Sequence, residues 1–337
     1  MLVLDGATGE GGGQILRTAL ALAVALGRAV ALTRIRAARP KPGLQPQHLA
    51  VVRALAAISD AEVDGDRRDS TELRFTPRAL RSGEWRFDVG PSSAGAVTLI
   101  LQAVLLPLIL AAGASRLTLV GGTHVPWSPP FQYLTEVFLP ALARTGVAAS
   151  ATLSRWGWYP AGGGEVAATL VPGRPARGFV APGTEAAITG LSAVSRLPRA
   201  IAERQRTRAL ERLEAEGLGA AIAIEEDRAA LGPGTILFLS VRGRAGFSAL
   251  GRRWLPAERV ADDAVDQLLG WRRSGAALDE HLADQLVPYL ALAPGASSYT
   301  CPRITGHLRT VAELVGRFLP VEITLEDSRP AEVRIAR

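Results

Sequence analysis

The feature that most constrains how this chain can fold is a recurring alternation between helical and extended hydrophobic patterns. Apolar residues follow a helical period over residues 14–27 and 47–59, and an extended pattern over residues 29–36 between them. The same order returns over residues 97–153 and again over residues 280–325. Three copies of a strand–helix–strand–helix–strand unit predict an α/β (α+β) fold in which repeated units pack helices on sheets. Coincidental similarity between independent α/β units is the alternative that periodicity leaves open.

The changes of period also locate the individual elements of the later copies. Helices are predicted over residues 97–112, 131–145, 280–292 and 306–318. Strands are predicted to begin near residue 61 and to cover residues 116–120, 147–153, 298–301 and 321–325.

The stretch between the second and third copies does not follow the repeat. It contains helical patterns over residues 198–217 and 257–273 and extended patterns over residues 220–224 and 235–241. Turns rich in Pro, Gly or Ser flank it at residues 172–175, 182–183 and 274–275. We therefore predict a repeated-unit catalytic core, residues 1–183 and 276–337, with a smaller α/β domain inserted over residues 184–275.

Charge and cysteine content narrow the class of partner and the compartment. The chain has 337 residues, enough for about two domains. Its 38 basic and 32 acidic side chains give a formal net charge of +6, which favours a polyanionic partner. The single cysteine, Cys301, excludes an intramolecular disulfide and is typical of a protein from the reducing cytoplasm.

One uncharged stretch, residues 89–115, is long enough to suggest a membrane span. It opens with Gly90-Pro91-Ser92-Ser93 and contains Gln102 and Pro107, and it is the only such stretch in the chain. These features favour a buried core helix. We predict a cytoplasmic protein that does not bind a membrane.

A glycine-rich segment, residues 6–14, leads directly into the first predicted helix. Glycines before a helix let backbone N–H groups approach a phosphate, although a tight turn explains the same pattern. The segment has neither the P-loop pattern nor the dinucleotide fingerprint. Glu10 within it would repel phosphate unless a divalent cation bridged the two, which favours a cation-dependent anion site.

A basic cluster follows the second predicted strand. Arg34 and Arg36 are expected on one face of that strand, followed by Arg39 and Lys41. Prolines on both sides of Lys41, the only lysine of the chain, restrict its backbone. The cluster indicates either a solvated basic edge or a phosphate-binding segment.

Two further features leave alternatives open. Residues 156–165 form a second glycine-rich turn, whose Trp156, Trp158 and Tyr159 could stack on bases or pack over the edge of the core.

Four histidines are present, and His307 stands at the start of a predicted helix, where a ring can face a cleft. The spacing of Cys and His residues fits no zinc site.

Taken together, five segments in one order resemble the RNA 3′-terminal phosphate cyclase family over essentially the whole chain. These segments are Leu4-Asp5-Gly6, residues 9–17, residues 35–44, residues 159–164, and Leu282-Ala283-Asp284-Gln285-Leu286. The resemblance implies three βαβαββ-like units with an inserted smaller domain. It also implies an ATP-dependent reaction that converts an RNA 3′-terminal phosphate into a 2′,3′-cyclic phosphodiester through a histidine–AMP intermediate, with ATP and Mg²⁺ or Mn²⁺ as cofactors.

The resemblance further implies roles for individual residues. His307 resembles the catalytic histidine nucleophile, and Glu10 resembles the metal-linked glutamate. The residues that match ATP-binding positions are Gln102, Tyr133, His281, Leu282, Ala283, Asp284 and Gln285. The phosphate and RNA-end positions correspond to Arg17, Arg36, Arg39 and Gln47, and the basic cluster adds Lys41.

Two other function classes are compatible with parts of this pattern. One is a non-catalytic cyclase-like RNA-processing or RNA-binding protein, which would lack the histidine that His307 supplies. The other is an enolpyruvyl transferase on a similar repeated architecture, which ATP-dependent labelling would separate from a cyclase. The sequence leaves the oligomeric state open between a monomer and a homodimer.

Overall fold

The first repeated unit has the order βαβαββ. The computed structural model describes residues 1–90, 94–179, 181 and 187–337. Strand β1 (Leu2–Asp5) lies parallel to β2 (Val30–Thr33), and β4 (Leu73–Thr76) pairs antiparallel with both β2 and β3 (Glu62–Asp64). Helix α1 (Gly13–Leu26) connects β1 to β2, and α2 (Pro46–Ser59) follows β2. The parallel pair needs such a helical crossover, whereas the final antiparallel pair does not.

The second unit repeats this arrangement. Its sheet has the order β5 (Gly83–Asp88), β6 (Ser115–Gly121), β8 (Gly164–Leu170) and β7 (Ala149–Arg155), matching the order β1-β2-β4-β3. Helix α3 (Val97–Ile109) is the first crossover. The second helix is continuous from α4 (Phe131–Tyr133) through a π-helical turn (Leu134–Phe138) to α5 (Leu139–Ala143). A π-helical turn inside an α-helix often marks a functional position.

The third unit has α8 (Glu280–Leu290), β13 (Ser297–Cys301), α9 (Gly306–Phe318), β14 (Glu322–Glu326) and β15 (Ala331–Ala336). The loop at Phe179 contacts β13, because the Ser298 N–H donates to the Phe179 carbonyl at 3.0 Å. The Phe179 N–H donates in turn to Oγ of Ser297, also at 3.0 Å. A segment with additional elements interrupts the repeat before α8, and its predicted position between the second and third copies stays a prediction.

The interrupting segment builds its own four-stranded sheet, in the order β10-β9-β11-β12. Its elements are β9 (Ile188–Ser195), α6 (Ala200–Ala215), β10 (Ala220–Asp227), β11 (Gly234–Val241), β12 (Ala245–Leu250) and α7 (Ala257–Ser274). We call residues 188–274 the inserted domain. The predicted boundary at 183/184 stays a prediction, and Pro182 and Gly183 lie outside the described residues.

The inserted domain uses both faces of its sheet. Along β11, Leu237 and Leu239 join a hydrophobic cluster with α6 and α7. Ile236 and Phe238, which alternate with them, belong instead to the main core. Since successive strand residues point to opposite faces, one face of this sheet packs on its own helices and the other packs on the repeated units.

The helices of the three units form one shared core. Helix α1 packs against α2, α3 and α9, and α8 packs against α9.

In α3 every residue except Gln102 is buried, so the uncharged stretch at residues 89–115 holds a core helix, as predicted. Within the described residues, no helix combines the length and apolar character that crossing a membrane requires. Residues 91–93 of the same stretch lie outside the described part of the chain.

The predicted helices and the α+β class are confirmed, whereas one strand is shorter than predicted. Residues 29–36 were expected to be extended, but β2 ends at Thr33. Arg34 and Arg36 have φ angles of 51° and 56°, in the left-handed region. They therefore do not share one face of a strand, and that prediction is wrong.

Candidate active site

The first turn of α9 presents His307 between two carboxylates. Thr305 caps the helix, because its side chain accepts a hydrogen bond from the Leu308 N–H at 3.0 Å. Nε2 of His307 lies 2.7 Å from Oε2 of Glu10, and Nδ1 lies 3.6 Å from Oδ2 of Asp284. The imidazole is 43% exposed, whereas the Asp284 side chain is only 6% exposed. One side of the ring is therefore accessible to a ligand from solvent, and the buried Asp284 carboxylate lies on its other side.

The electrostatic environment of His307 favours its protonated form. Hydrogen bonding to Asp284 raises the pKa of His307, and the charges of Asp284 and Glu10 raise it further. Burial and the nearby Arg17 act in the opposite direction but do not outweigh the carboxylates. Carboxylates near both ring nitrogens therefore favour the charged form of His307 more than water favours that of a free histidine.

Two glycines let the loop that carries Glu10 approach α9. A Cβ atom at Gly306 would lie 2.6 Å from Oε1 of Glu10, closer than such atoms normally come. A Cβ atom at Gly9, whose φ is +59°, would lie 2.1 Å from Oγ1 of Thr310. The β1–α1 loop and the N-terminus of α9 are therefore packed in direct contact, which brings the first and third units together at His307.

Arg39 belongs to the same site. Its Nη2 donates to the backbone carbonyl of Glu10 at 2.9 Å and lies 3.9 Å from Oε2 of that residue. Arg36 donates to the carbonyl of Lys41 at 3.0 Å, and burial, together with Arg39, lowers the pKa of its guanidinium. The Lys41 ammonium is exposed and pairs with no carboxylate among the described residues. Arg34, by contrast, is bound to Asp5.

Arg17 and His48 lie on α1 and α2 beside this cluster. Burial lowers the pKa of Arg17 to about 10, with Asp284 partly offsetting that effect. Nδ1 of His48 accepts the Gln45 N–H at 3.1 Å and completes the cap of α2. Burial, with the charges of Arg36 and Arg17, lowers the pKa of His48 to about 3. His48 is therefore a neutral structural residue, and Gln47 stands next to it in the first helical turn.

The residues predicted to bind the nucleotide differ in where their side chains lie. Nε2 of Gln102 on α3 donates to Oε1 of Gln285 on α8 at 2.8 Å, next to Asp284. His281 is exposed in the first turn of α8. Leu282 and Ala283 are instead fully buried, so their side chains belong to the core.

Tyr133 is also buried, and its hydroxyl donates to the carboxylate of Asp279 at 2.9 Å. Asp279 is the N-cap of α8 and was not singled out in the sequence. The position of an aspartate directly before a helix is a recognisable cap signal, but its bond to Tyr133 spans distant parts of the chain. The predicted contact between Tyr133 and adenine stays a prediction.

The aromatic residues of the second glycine-rich turn pack inside the protein. Trp156 stacks on His124 with ring centroids 4.2 Å apart and on Trp158 at 5.4 Å. Both tryptophans and His124 are buried, which supports the packing alternative at these positions. Tyr159 is 66% exposed. Burial lowers the pKa of His124 to about 3, so this ring is neutral as well.

A cation at Glu10 would depend on a bound nucleotide. Among residues 1–90, 94–179, 181 and 187–337, no group of three or more His, Cys, Asp or Glu side chains is placed to hold a metal ion. Glu10 offers one half-exposed carboxylate. Mg²⁺ is commonly held by one or two carboxylates together with waters and substrate phosphates, so this donor fits a cation that arrives with a nucleotide.

Comparison with known proteins gives a consistent result over nearly the whole chain. The family model "RNA 3'-terminal phosphate cyclase" matches residues 8–325. A protein of that name from Methylococcus capsulatus is 49% identical, with 99% of this chain and 96% of the relative covered. Another from Archaeoglobus fulgidus is 42% identical, with 98% and 99% covered. The chain therefore belongs to the RNA 3′-terminal phosphate cyclase family.

Proposed function

We propose that this protein converts the 3′-terminal phosphate of RNA into a 2′,3′-cyclic phosphodiester, using ATP and a covalent His307–AMP intermediate. Membership of the family supports the reaction type. The observation that carries the mechanism is the placement of His307 between Asp284 and Glu10, at the solvent-facing end of α9. His48 and His124 are neutral and buried, and Nδ1 of His48 and both ring nitrogens of His124 are engaged in structural hydrogen bonds.

In the first step, Nε2 of His307 attacks the α-phosphorus of ATP. The bond between this phosphorus and the oxygen leading to the β-phosphate breaks, and pyrophosphate leaves. Nδ1 faces Asp284, which keeps the proton on that nitrogen and leaves Nε2 as the nucleophile. A protonated ring must first lose the proton on Nε2; Oε2 of Glu10 at 2.7 Å accepts this proton and passes it to solvent before the carboxylate holds a cation.

Basic side chains would offset the negative charge that builds up during this transfer. Arg17 acts on the charge of His307, Arg39 donates to the Glu10 carbonyl, and Arg36 lies beside Arg39. The Lys41 carbonyl accepts a hydrogen bond from Arg36, which keeps Lys41 next to this cluster. Fixed cations in a partly buried site stabilise developing charge on phosphoryl oxygens. Mg²⁺ or Mn²⁺ held by Glu10 and the nucleotide phosphates would supply further positive charge at the same atoms.

In the second step, an oxygen of the RNA 3′-phosphate attacks the phosphorus of His307–AMP, and the imidazole leaves. The RNA end then carries an activated phosphoanhydride to AMP. The neighbouring 2′-OH loses its proton, attacks the 3′-phosphorus and displaces AMP, which closes the ring. This last step needs no protein nucleophile, because the hydroxyl is already attached beside its target.

The product identifies the activity. RNA with a 3′-phosphate, incubated with the protein, ATP and Mg²⁺ or Mn²⁺, should acquire an end that resists phosphatase, while RNA with a 3′-OH should stay unchanged. His307→Ala should form no cyclic end. RNA that binds tightly to the wild-type protein without conversion would favour the non-catalytic alternative.

A further inference from the structure

The tip of the β11–β12 hairpin of the inserted domain touches two helices of the repeated units. The Gly243 N–H donates to the carbonyl of Glu136, in the π-helical turn, at 2.8 Å. The carbonyl of Arg244 accepts the Asp279 N–H at 3.1 Å, at the start of α8. One short hairpin therefore connects the helix that contains Tyr133 with the helix that carries Asp284 and Gln285.

The Asp279 carboxylate is the centre of this junction. Oδ1 accepts the N–H groups of His281 and Leu282, both at 2.8 Å. Oδ2 accepts the Gly246 N–H at 2.9 Å, and the Tyr133 hydroxyl lies within 3.0 Å of both oxygens. Asp279 is only 2% exposed. A buried carboxylate with this many donors is fixed in place, because each donor would lose its partner if the carboxylate moved.

The hairpin and the helix that contains Tyr133 also pack tightly at this junction. A Cβ atom at Gly246 would lie 2.8 Å from Cδ2 of Tyr133 and 2.9 Å from a methyl carbon of Val137. The hairpin backbone therefore rests directly on the tyrosine ring. A larger residue at position 246 would push the hairpin and the ring apart.

We propose that Asp279 is a positioning residue, through which the inserted domain holds Tyr133 and α8 in the arrangement that binds ATP. This inference rests on the proposed function, since it takes α8 as the nucleotide-binding helix. It gives the inserted domain a role in the nucleotide site, although its sheet lies outside the three repeated units. Asp279 itself is buried and acts through its neighbours.

Asp279→Asn separates this role from helix capping. The amide oxygen can still accept the His281 and Leu282 N–H groups, because asparagine is as good a cap as aspartate. The amide NH₂ at the other position faces the Gly246 N–H, so two donors oppose each other. We expect the KM for ATP in self-labelling, and the calorimetric Kd for ATP, to rise about tenfold. The labelling rate at saturating ATP should fall by less than about threefold.

A second variant and a matched control keep the test independent of folding defects. Gly246→Ala should raise the same two constants, because it pushes the hairpin away from Tyr133 without changing Asp279. Gln205→Ala removes a buried hydrogen-bond network of the inserted domain, in which Nε2 of Gln205 donates to Oγ1 of Thr235 at 3.0 Å. It should lower the Tm while leaving the KM and Kd for ATP unchanged.

The outcomes distinguish this inference from the function on which it rests. If wild-type protein labels but Asp279→Asn and Gly246→Ala keep the wild-type KM and Kd, the positioning role is wrong. An equal rise in all three variants would also overturn it, since general destabilisation would explain the effect. A wild-type protein that neither binds ATP nor labels would overturn the proposed function and this inference together.

Discussion

Oε2 of Glu10 lies 2.7 Å from Nε2 of His307, the ring nitrogen that attacks ATP in the proposed reaction. Asp284 faces the other nitrogen of the ring. Its hydrogen bond to His307 is the largest of the effects that raise the pKa of this histidine. A protonated imidazole has no free lone pair at Nε2, so only the neutral form of His307 can attack ATP.

The pH dependence of adenylation should report this arrangement. Because the neutral ring is the nucleophile, the labelling rate should rise with pH through the raised pKa of His307. Asp284→Asn removes the carboxylate that raises the pKa most, so the acidic limb of the pH–rate profile should shift to lower pH. Glu10→Gln should shift it in the same direction, by a smaller amount. An acidic limb that stays in place or moves to higher pH in Asp284→Asn would contradict this assignment.

The close approach of Gly306 to Glu10 predicts that alanine at position 306 slows adenylation, whereas alanine at another glycine of the same helix does not. Gly306→Ala places a methyl group against the Glu10 carboxylate and should slow adenylation about tenfold or more, because Glu10 has to move away from His307. Gly316→Ala, further along α9, has open space around the new methyl group. This control should keep the wild-type rate and raise the stability by about 0.5–1 kcal/mol. Equal labelling rates in the two variants would show that the Glu10–His307 contact is dispensable.

The basic cluster should bind phosphate without reading sequence. Lys41→Ala or Arg39→Ala should weaken RNA binding to a similar extent for different terminal sequences. Each should reduce the log–log salt slope of binding by about one. Arg116→Ala removes an exposed arginine on the outer face of β6, paired with Glu84 at 3.4 Å, and should leave the slope unchanged. A change of base preference at constant slope would rule out phosphate contact.

His48 should affect stability and not chemistry. Its pKa of about 3 lies well below the usual value of about 6.5, so the unfolded chain binds a proton that the folded chain does not. Stability should therefore fall as the pH decreases from about 6.5 towards 3. His48→Gln should lose part of this acid sensitivity, measured as Tm against pH, while adenylation persists. A pH dependence of Tm identical to that of the wild type would contradict a buried neutral His48.

The sequence predicted helices such as α9 well because apolar residues recur on one face with a clear period. Helix α3, which is buried nearly all round, was recognised from its long uncharged apolar run. Strands β5 and β8, whose residues alternate between more and less buried, were not predicted. Arg34 and Arg36 looked like strand residues because nothing local shows their left-handed backbone. The backbone of Gly43, in the same loop, packs directly against the backbone of Asp69. This contact joins residues that are distant in sequence, so no local pattern predicts it.

The candidate site was predictable in its parts but not in its geometry. Family motifs identified His307, Glu10 and Asp284, and the structure brings all three together. The burial of Leu282 and the contact between Asp279 and the inserted domain depend on tertiary packing, which no single motif contains.

Covalent labelling tests the central claim most directly. Incubation with α-labelled ATP and Mg²⁺ or Mn²⁺, without RNA, should leave one AMP per chain in a bond that is labile to acid and stable to alkali, as a phosphoramidate is. His307→Ala should abolish this label, while His48→Ala and His124→Ala should retain it. Adding RNA with a 3′-phosphate should discharge the label and yield a cyclic end. Undiminished labelling of His307→Ala would contradict the mechanism, and the nucleophile would have to be another residue.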